Sequence, residues 1–376
     1  MLKSQKKILM ISTMRMDDLP TRKQRIAQIL SKDHQVIYLY PPVTVLGALK
    51  TKKIEKSTMQ EWSPQLHIIQ PPLILPFGLR FNFIRKINAY FLRKFLRTML
   101  RKKHFHPDII WFYLVDYPEI THDYADAVKV YDCVDDHSAY PGFRNPGLVL
   151  KLEKKLVQSC DAVFATTLEL SNKLSKNHDK VVCIPNGVDW QHFGNPSIKE
   201  HTSLSPVPSP RIGYLGAIHQ WFDLALIEYL LQHLPEAHFV LAGPSQRNEF
   251  EALGRKYPHL HMLGRIDVKN APSVIKSFDV ALIPFIPNDL TLNISPLKFF
   301  EYCAQGKPTV SIPIAQLKSY QDICYLYHDH KECLDMINQA LHEPELLQQK
   351  RKDIARENSW DQKLDKMFNI ALQHLN

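Results

Sequence analysis

Asn293-Ile-Ser-Pro-Leu-Lys-Phe-Phe-Glu-Tyr-Cys-Ala-Gln-Gly-Lys-Pro-Thr-Val310 reads as a short helix held between two loops. Ser295 is placed to cap the first turn, and Pro296 suits the first helical position. Gly306 ends the helix and Pro308 prevents its continuation. Capping leaves the polar content unexplained. Asn293, Lys298 and Glu301 gather at the positive end of a helix dipole, where an anionic group is readily bound.

Outward from this helix the chain alternates short apolar runs with amphipathic stretches. Strands are predicted at Ile8–Ser12, Gln35–Tyr40, Leu66–Gln70, Asp108–Val115, Val128–Asp132, Ala162–Thr166 and Val181–Ile184, with a helix at Lys23–Leu30. A Ser- and Pro-rich stretch, 195–210, reads as a linker. A second series follows, with strands at Arg211–Leu215, His238–Leu241, His259–Leu263, Val280–Pro284 and Thr309–Ile312. Its helices are Leu224–Leu234, Gln246–Lys256, Pro272–Ser277, Pro296–Gln305 and Lys331–His342. The expected class is α/β, with two Rossmann-like doubly wound domains facing across a cleft. The expected spans are 1–194, a linker at 195–210, 211–358, and a C-terminal helix in 359–376 that crosses both domains.

The 376 residues suffice for two cores, and the composition (45% hydrophobic, 23% charged) is that of a globular protein. Met1–Lys7 leads straight into a strand without a signal peptide, and the six cysteines form no Cys-x-x-Cys pair. These features predict a reducing, cytoplasmic setting. The net charge is +9, and nine lysines and arginines with no acid lie between Arg80 and Lys103. Such an excess suits nucleic acid, an anionic membrane or a phosphorylated ligand.

The order of motifs then becomes a resemblance. Asn293 and Glu301 have the spacing of a Glu-x7-Glu motif, and Cys303-Ala-Gln-Gly-Lys-Pro-Thr-Val310 matches an Ala-x-Gly-x-Pro-Val tail. Asn186-Gly-Val-Asp189, Ile212-Gly-Tyr-Leu-Gly216, Leu241-Ala-Gly-Pro244 and Leu263-Gly-Arg265 fall in the matching order. The set resembles GT-B glycosyltransferases of the family 4 group, among them bacterial enzymes of teichuronic acid and other surface-polysaccharide assembly. Singly these motifs are weak; their order over nearly the whole chain is specific.

The resemblance implies a nucleoside diphosphate sugar donor, UDP rather than GDP, a lipid-linked glycan acceptor and retention of configuration. Glu301 inherits the clamp on the ribose hydroxyls, since one carboxylate accepts two hydroxyl protons. Ser295, Leu297 and Lys298 would hold the diphosphate, with Gly216, Arg265 and Asn293 completing the donor site. Two departures stand out. Asn293 replaces the first glutamate, and Gly216-Ala-Ile-His-Gln-Trp-Phe-Asp223 lacks the arginine and lysine that ordinarily neutralise the diphosphate.

In the N-terminal half, Tyr131-Asp-Cys-Val-Asp-Asp-His137 crowds three carboxylates and a histidine at a strand end. Asp135 or Asp136 is expected to serve catalysis, by acceptor activation or sugar binding, with Asp132 as a structural partner and His137 beside them. A turn-and-cap role is the bland alternative. Arg15, Arg22 and Gln24, after the first strand, are candidates for diphosphate or acceptor; a solvated helix start is the alternative. The chain has no Asp-x-Asp, so no metal and no cofactor is expected.

Phe81–Lys103 carries Ile84, Ile87, Phe91, Phe95 and Met99 on one helical stripe. Arg85, Lys86, Arg93, Lys94, Arg97 and Arg101, with Phe91 and Phe95 as anchors, would bind an anionic leaflet peripherally at the inner face of the cell membrane. A domain helix with a basic solvent face is the alternative. Two rival functions stand beside the transferase: a nucleotide-sugar epimerase on the same fold, and a non-enzymatic glycan- or nucleic-acid-binding module. No aromatic-interleaved basic motif for bases is present, so no nucleic acid partner is expected.

Overall fold

The computed structural model describes residues 4–18, 20–52, 56–139, 145–245, 249–292 and 294–375. The chain forms two compact units, Met1–Pro185 with Leu364–Asn376, and Asn186–Lys363. The first boundary therefore lies at Pro185/Asn186 and not in the 195–210 stretch. That stretch is Ser/Pro-rich, but Leu204 and Val207 anchor it in the core of the second unit.

In the first unit β1 (Lys7–Ile11), α1 (Arg22–Leu30), β2 (Gln35–Leu39), α2 (Val45–Thr51), β3 (Thr58–Ser63) and β4 (Leu66–Gln70) come first. Then follow α3 (Asn82–Lys102), β5 (Ile109–Phe112), β6 (Val128–Cys133), α4 (Pro146–Gln158), β7 (Ala162–Ala165), α5 (Leu168–Leu174) and β8 (Val181–Cys183). The sheet runs β3-β4-β2-β1-β5-β6-β7-β8 and is parallel except for the β3–β4 pair. Central strands are buried on both faces, which is why they read as unbroken apolar runs. The polar edge strand β3 has no such signal and was not expected from the sequence.

The second unit contains α6 (Trp190–Phe193), β9 (Arg211–Leu215), α7 (Leu224–His233), β10 (His238–Ala242), α8 (Glu249–Lys256), β11 (Leu260–Gly264) and α9 (Ala271–Lys276). After these come β12 (Val280–Ile283), α10 (Asp289–Leu292), α11 (Leu297–Ala304), β13 (Thr309–Ser311), β14 (Cys324–Leu326), α12 (His330–Leu341) and α13 (Leu346–Glu357). Its sheet is β11-β10-β9-β12-β13-β14, parallel throughout. The chain returns to the first unit through α14 (Trp360–Leu372), whose Leu364, Met367, Phe368 and Ala371 are buried there. Burying a large apolar side chain of this kind contributes roughly 1.5–3 kcal/mol.

α3 corrects the expected membrane set. Its core stripe is Ala89, Leu92, Leu96 and Leu100, offset from the stripe expected from the sequence. Arg85 lies on this buried side and grips Glu119 through two bonds of 2.7 and 2.9 Å. Arg93 holds Asp123 in the same bidentate way, at 2.6 and 2.7 Å, with Arg97 3.8 Å from that carboxylate. A guanidinium fixed to a carboxylate of its own domain is not available to a headgroup. Lys86, Lys94 and Arg101 remain exposed, with Ile87, Tyr90 and Phe91 between them, while Phe95 is half-buried against the core. No helix among the described residues is long and apolar enough to cross a membrane.

Candidate functional site

In the second unit the strand order reverses between β9 and β12, and ligands of open α/β sheets bind beyond the strand ends at such a point. Two glycines shape this edge. Gly216 follows β9 with φ of +153°, and Gly243 follows β10 with φ of +142°. A Cβ on Gly243 would lie 2.0 Å from the Gly216 carbonyl oxygen, so the two backbones touch. Tyr302 braces the strand end by accepting a 3.1 Å hydrogen bond from the Leu215 N–H.

Lys298 approaches Gly216 from α11. A Cβ on Gly216 would meet Lys298 Cε at 2.2 Å and Nζ at 2.7 Å, so a side chain there would push the end of the lysine aside. The ammonium lies over two aromatic rings, 5.4 Å from the centre of Tyr214 and 5.8 Å from that of Phe285. Among the described residues it has no hydrogen bond and no contact ion pair. Desolvation pulls its pKa below that of an ordinary lysine, and the charge of Glu301 opposes the shift. The surface Lys298–Glu301 ion pair that helical spacing allows is thus not formed. A desolvated cation held by rings, with no carboxylate against it, is arranged to receive an anion.

The start of α11 differs from the expected cap. The helix begins at Leu297, Pro296 occupies the cap position, and no side chain caps it. Ser295 is engaged elsewhere: its Oγ accepts from the Asn186 N–H at 3.0 Å, and its carbonyl accepts from Asn186 Nδ2 at 3.0 Å. That removes Ser295 as a cap and assigns it to the Asn186-Gly-Val-Asp189 turn. The cap residue offers no side-chain acceptor to the first-turn N–H groups, those of Leu297 and Lys298 included. The helix ends at Gly306, φ +71°, as expected. Glu301 is half-buried one turn along α11, and Arg265 is exposed just past β11. Asn293 lies outside the described residues.

In the first unit, two expected ligands are structural. Arg22 is 1% exposed; its Nε donates to Asp132 Oδ2 at 2.8 Å and its Nη1 to the Ile184 carbonyl at 2.8 Å. Asp132 is the structural partner expected of it, and Arg22 is withdrawn from diphosphate or acceptor. Gln24 is also buried: its Oε1 caps Thr21 at 3.0 Å and its Nε2 donates to the Arg15 carbonyl at 2.8 Å. Arg15 packs over Tyr40 and reaches Asp17 and Gln70, at 3.0 and 3.1 Å.

Asp135 and Asp136 separate. Asp136 takes the turn-and-cap role, accepting from the Ser138 N–H, the Ser138 hydroxyl and Lys173 at 2.9, 2.5 and 2.8 Å. Burial pushes its pKa up, but these donors outweigh it and hold the carboxyl below its usual range. Asp135 is exposed, and His137 is buried beside it. Sequence reasoning missed Lys23, a lysine only 5% exposed near Asp135 and Asp132, with Nζ 6.0 Å from the Tyr113 ring centre. Burial lowers its pKa against the pull of those carboxylates. Tyr214 and Phe285 were also missed, although Tyr214 lies within Ile212–Gly216 and Phe285 directly follows the expected strand Val280–Pro284.

Residues 209–343 match the family model described as Glycosyl transferases group 1. The chain is similar to TuaH of Bacillus subtilis (strain 168), named for a glycosyltransferase of teichuronic acid biosynthesis. They are 24% identical over 273 residues, 67% of this chain and 68% of that one. The fold is similar to sucrose-phosphate synthase from Thermosynechococcus elongatus, with a TM-score of 0.71 at 14% identity over 98% of this chain and 99% of the other. It is similar too to Anabaena HepE in complex with UDP-glucose, with a TM-score of 0.67 at 13% identity over 98% and 100%.

Proposed function

We propose that the chain is a GT-B glycosyltransferase, its match to the group 1 model lying at residues 209–343, that transfers a sugar from a UDP-linked donor to a lipid-linked glycan of the bacterial cell envelope. The single observation that carries the donor half is the Lys298 ammonium, desolvated against Gly216 at the uncapped start of α11. A diphosphate there gains a charged partner and the first-turn N–H groups together. As the glycosidic bond breaks, negative charge grows on the leaving phosphate, and these fixed donors stabilise it where it develops. Lys298 and the helix start replace the arginine and lysine missing after Gly216, and Glu301 holds the ribose. In this reading no divalent ion bridges the diphosphate, the anomeric configuration is retained, and Asp135 contacts the transferring sugar or the acceptor.

HepE is described in complex with UDP-glucose and TuaH is named for teichuronic acid biosynthesis; both support the choice of donor and acceptor class. The test is a thermal-shift panel of nucleotide sugars, read with and without EDTA. A UDP-sugar should raise the melting temperature most, equally in both conditions. A shift only with GDP- or ADP-sugars, or one abolished by EDTA, would overturn this donor and its metal-free binding.

A further inference from the structure

A pocket of about 590 Å³ opens in the first unit beyond the ends of β1, β2 and β5. It is the size of a small-molecule site, and all its lining residues belong to the first unit. Its walls are largely apolar, with Pro41, Pro42, Leu46, Ile74, Leu75 and Phe77 prominent among them. Three wall residues also face solvent: Leu46 is 50% exposed, Leu75 45% and Phe77 43%. Leu49, Phe81 and Phe83, close to these residues in the chain, are exposed as well. Exposed apolar side chains lining a cavity mark a site for an apolar ligand.

The mouth is built and rigid. Asn88, buried on α3, clamps Leu75 by donating to its carbonyl and accepting from its N–H, both at 2.9 Å. Ile74 is tied to the start of α2 by bonds to Val43 and Val45 at 3.0 and 2.9 Å. Phe77 holds φ of +63°, a conformation that a bulky side chain rarely adopts.

One polar feature of the rim selects among apolar ligands. Lys50, in the last turn of α2, lines the pocket, is exposed, and has no hydrogen bond or ion pair among the described residues. Arg85 also lines it but is committed to Glu119. Asp116 is a further lining residue whose carboxylate would repel an anion, so an anionic group belongs at the rim beside Lys50. We propose that this pocket binds a single-chain lipid phosphate: the hydrocarbon enters between Leu46, Leu75 and Phe77, and the phosphate pairs with Lys50. The inference deepens the proposed function, resting on its lipid-linked acceptor, and assigns the lipid end of that acceptor to a place in the fold.

The test uses decyl phosphate below its micellar concentration, with decanol and inorganic phosphate as separate arms and UDP titrated in parallel. The wild-type chain should bind decyl phosphate at least tenfold more tightly than decanol and should not respond to inorganic phosphate. Lys50→Gln should erase the difference between decyl phosphate and decanol. Leu46→Gln with Leu75→Gln, both at exposed positions, should weaken each amphiphile at least tenfold while UDP binding is unchanged. The proposal is overturned if the wild type ignores decyl phosphate, if inorganic phosphate competes with it, or if the double variant binds as the wild type does. Absence of UDP binding alone would overturn the donor reading, leaving the pocket to be judged by the amphiphile arms.

Discussion

Replacing Lys298 with methionine should separate function from stability. The ammonium lies over the rings of Tyr214 and Phe285 and close to Gly216, with no carboxylate in contact among the described residues. Removing a charged hydrogen-bond donor from a diphosphate costs about 1.5–3 kcal/mol, which is about a 10- to 150-fold rise in the dissociation constant of UDP. Stability should move the other way. The folded pKa of Lys298 lies below its unfolded value because of desolvation. Near those two pKa values the unfolded chain binds more protons, so stability rises as pH climbs through them. Below both pKa values the penalty of desolvating the ammonium is present in full, and methionine removes it while packing well against the two rings. Lys298→Met should therefore melt no lower than the wild type without nucleotide, yet gain less from added UDP. Calorimetric titration and thermal melting read the two quantities independently. An unchanged UDP dissociation constant in the folded variant, or a melting temperature several degrees lower, would refute the reasoning.

Glu301→Ala should weaken UDP by about 1.5–3 kcal/mol if its carboxylate holds the ribose, and a titration matching the wild type would remove it from the site. Arg22→Met strands Asp132 in the interior and should cost about 3–5 kcal/mol, read as a lower urea midpoint; a loss confined to substrate binding would contradict its structural role. Lys86→Gln, Lys94→Gln and Arg101→Gln together should weaken binding to anionic liposomes at low salt by about 1 kcal/mol per base, with melting unchanged. Arg85→Gln or Arg93→Gln should lower stability instead, because each breaks a bidentate pair. A wild type that ignores anionic liposomes at low salt would sink the membrane reading.

The strands buried on both faces were legible from residue order, because such strands leave continuous apolar runs. The same holds for the helix at 297–304, whose Gly306 and Pro308 are local stop signals. Its starting point was not legible. Ser295 has the chemistry of a cap, but Asn186, 109 positions away, competes for its hydroxyl and wins. Arg22 and Arg93 are ordinary basic residues in sequence; their carboxylate partners are 110 and 30 residues distant, and only the folded chain brings them together. The polar edge strand β3 and the Leu204–Val207 anchor escaped for a related reason, since pairing at an edge and burial of isolated apolar residues leave no periodic trace. Residue type and spacing carry whatever depends on near neighbours: strand, helix end, the glycines that admit a close approach. Which charge lies over aromatic rings with no ion pair among the described residues, as Lys298 does, depends on every contact it does not make, and tertiary packing alone decides that.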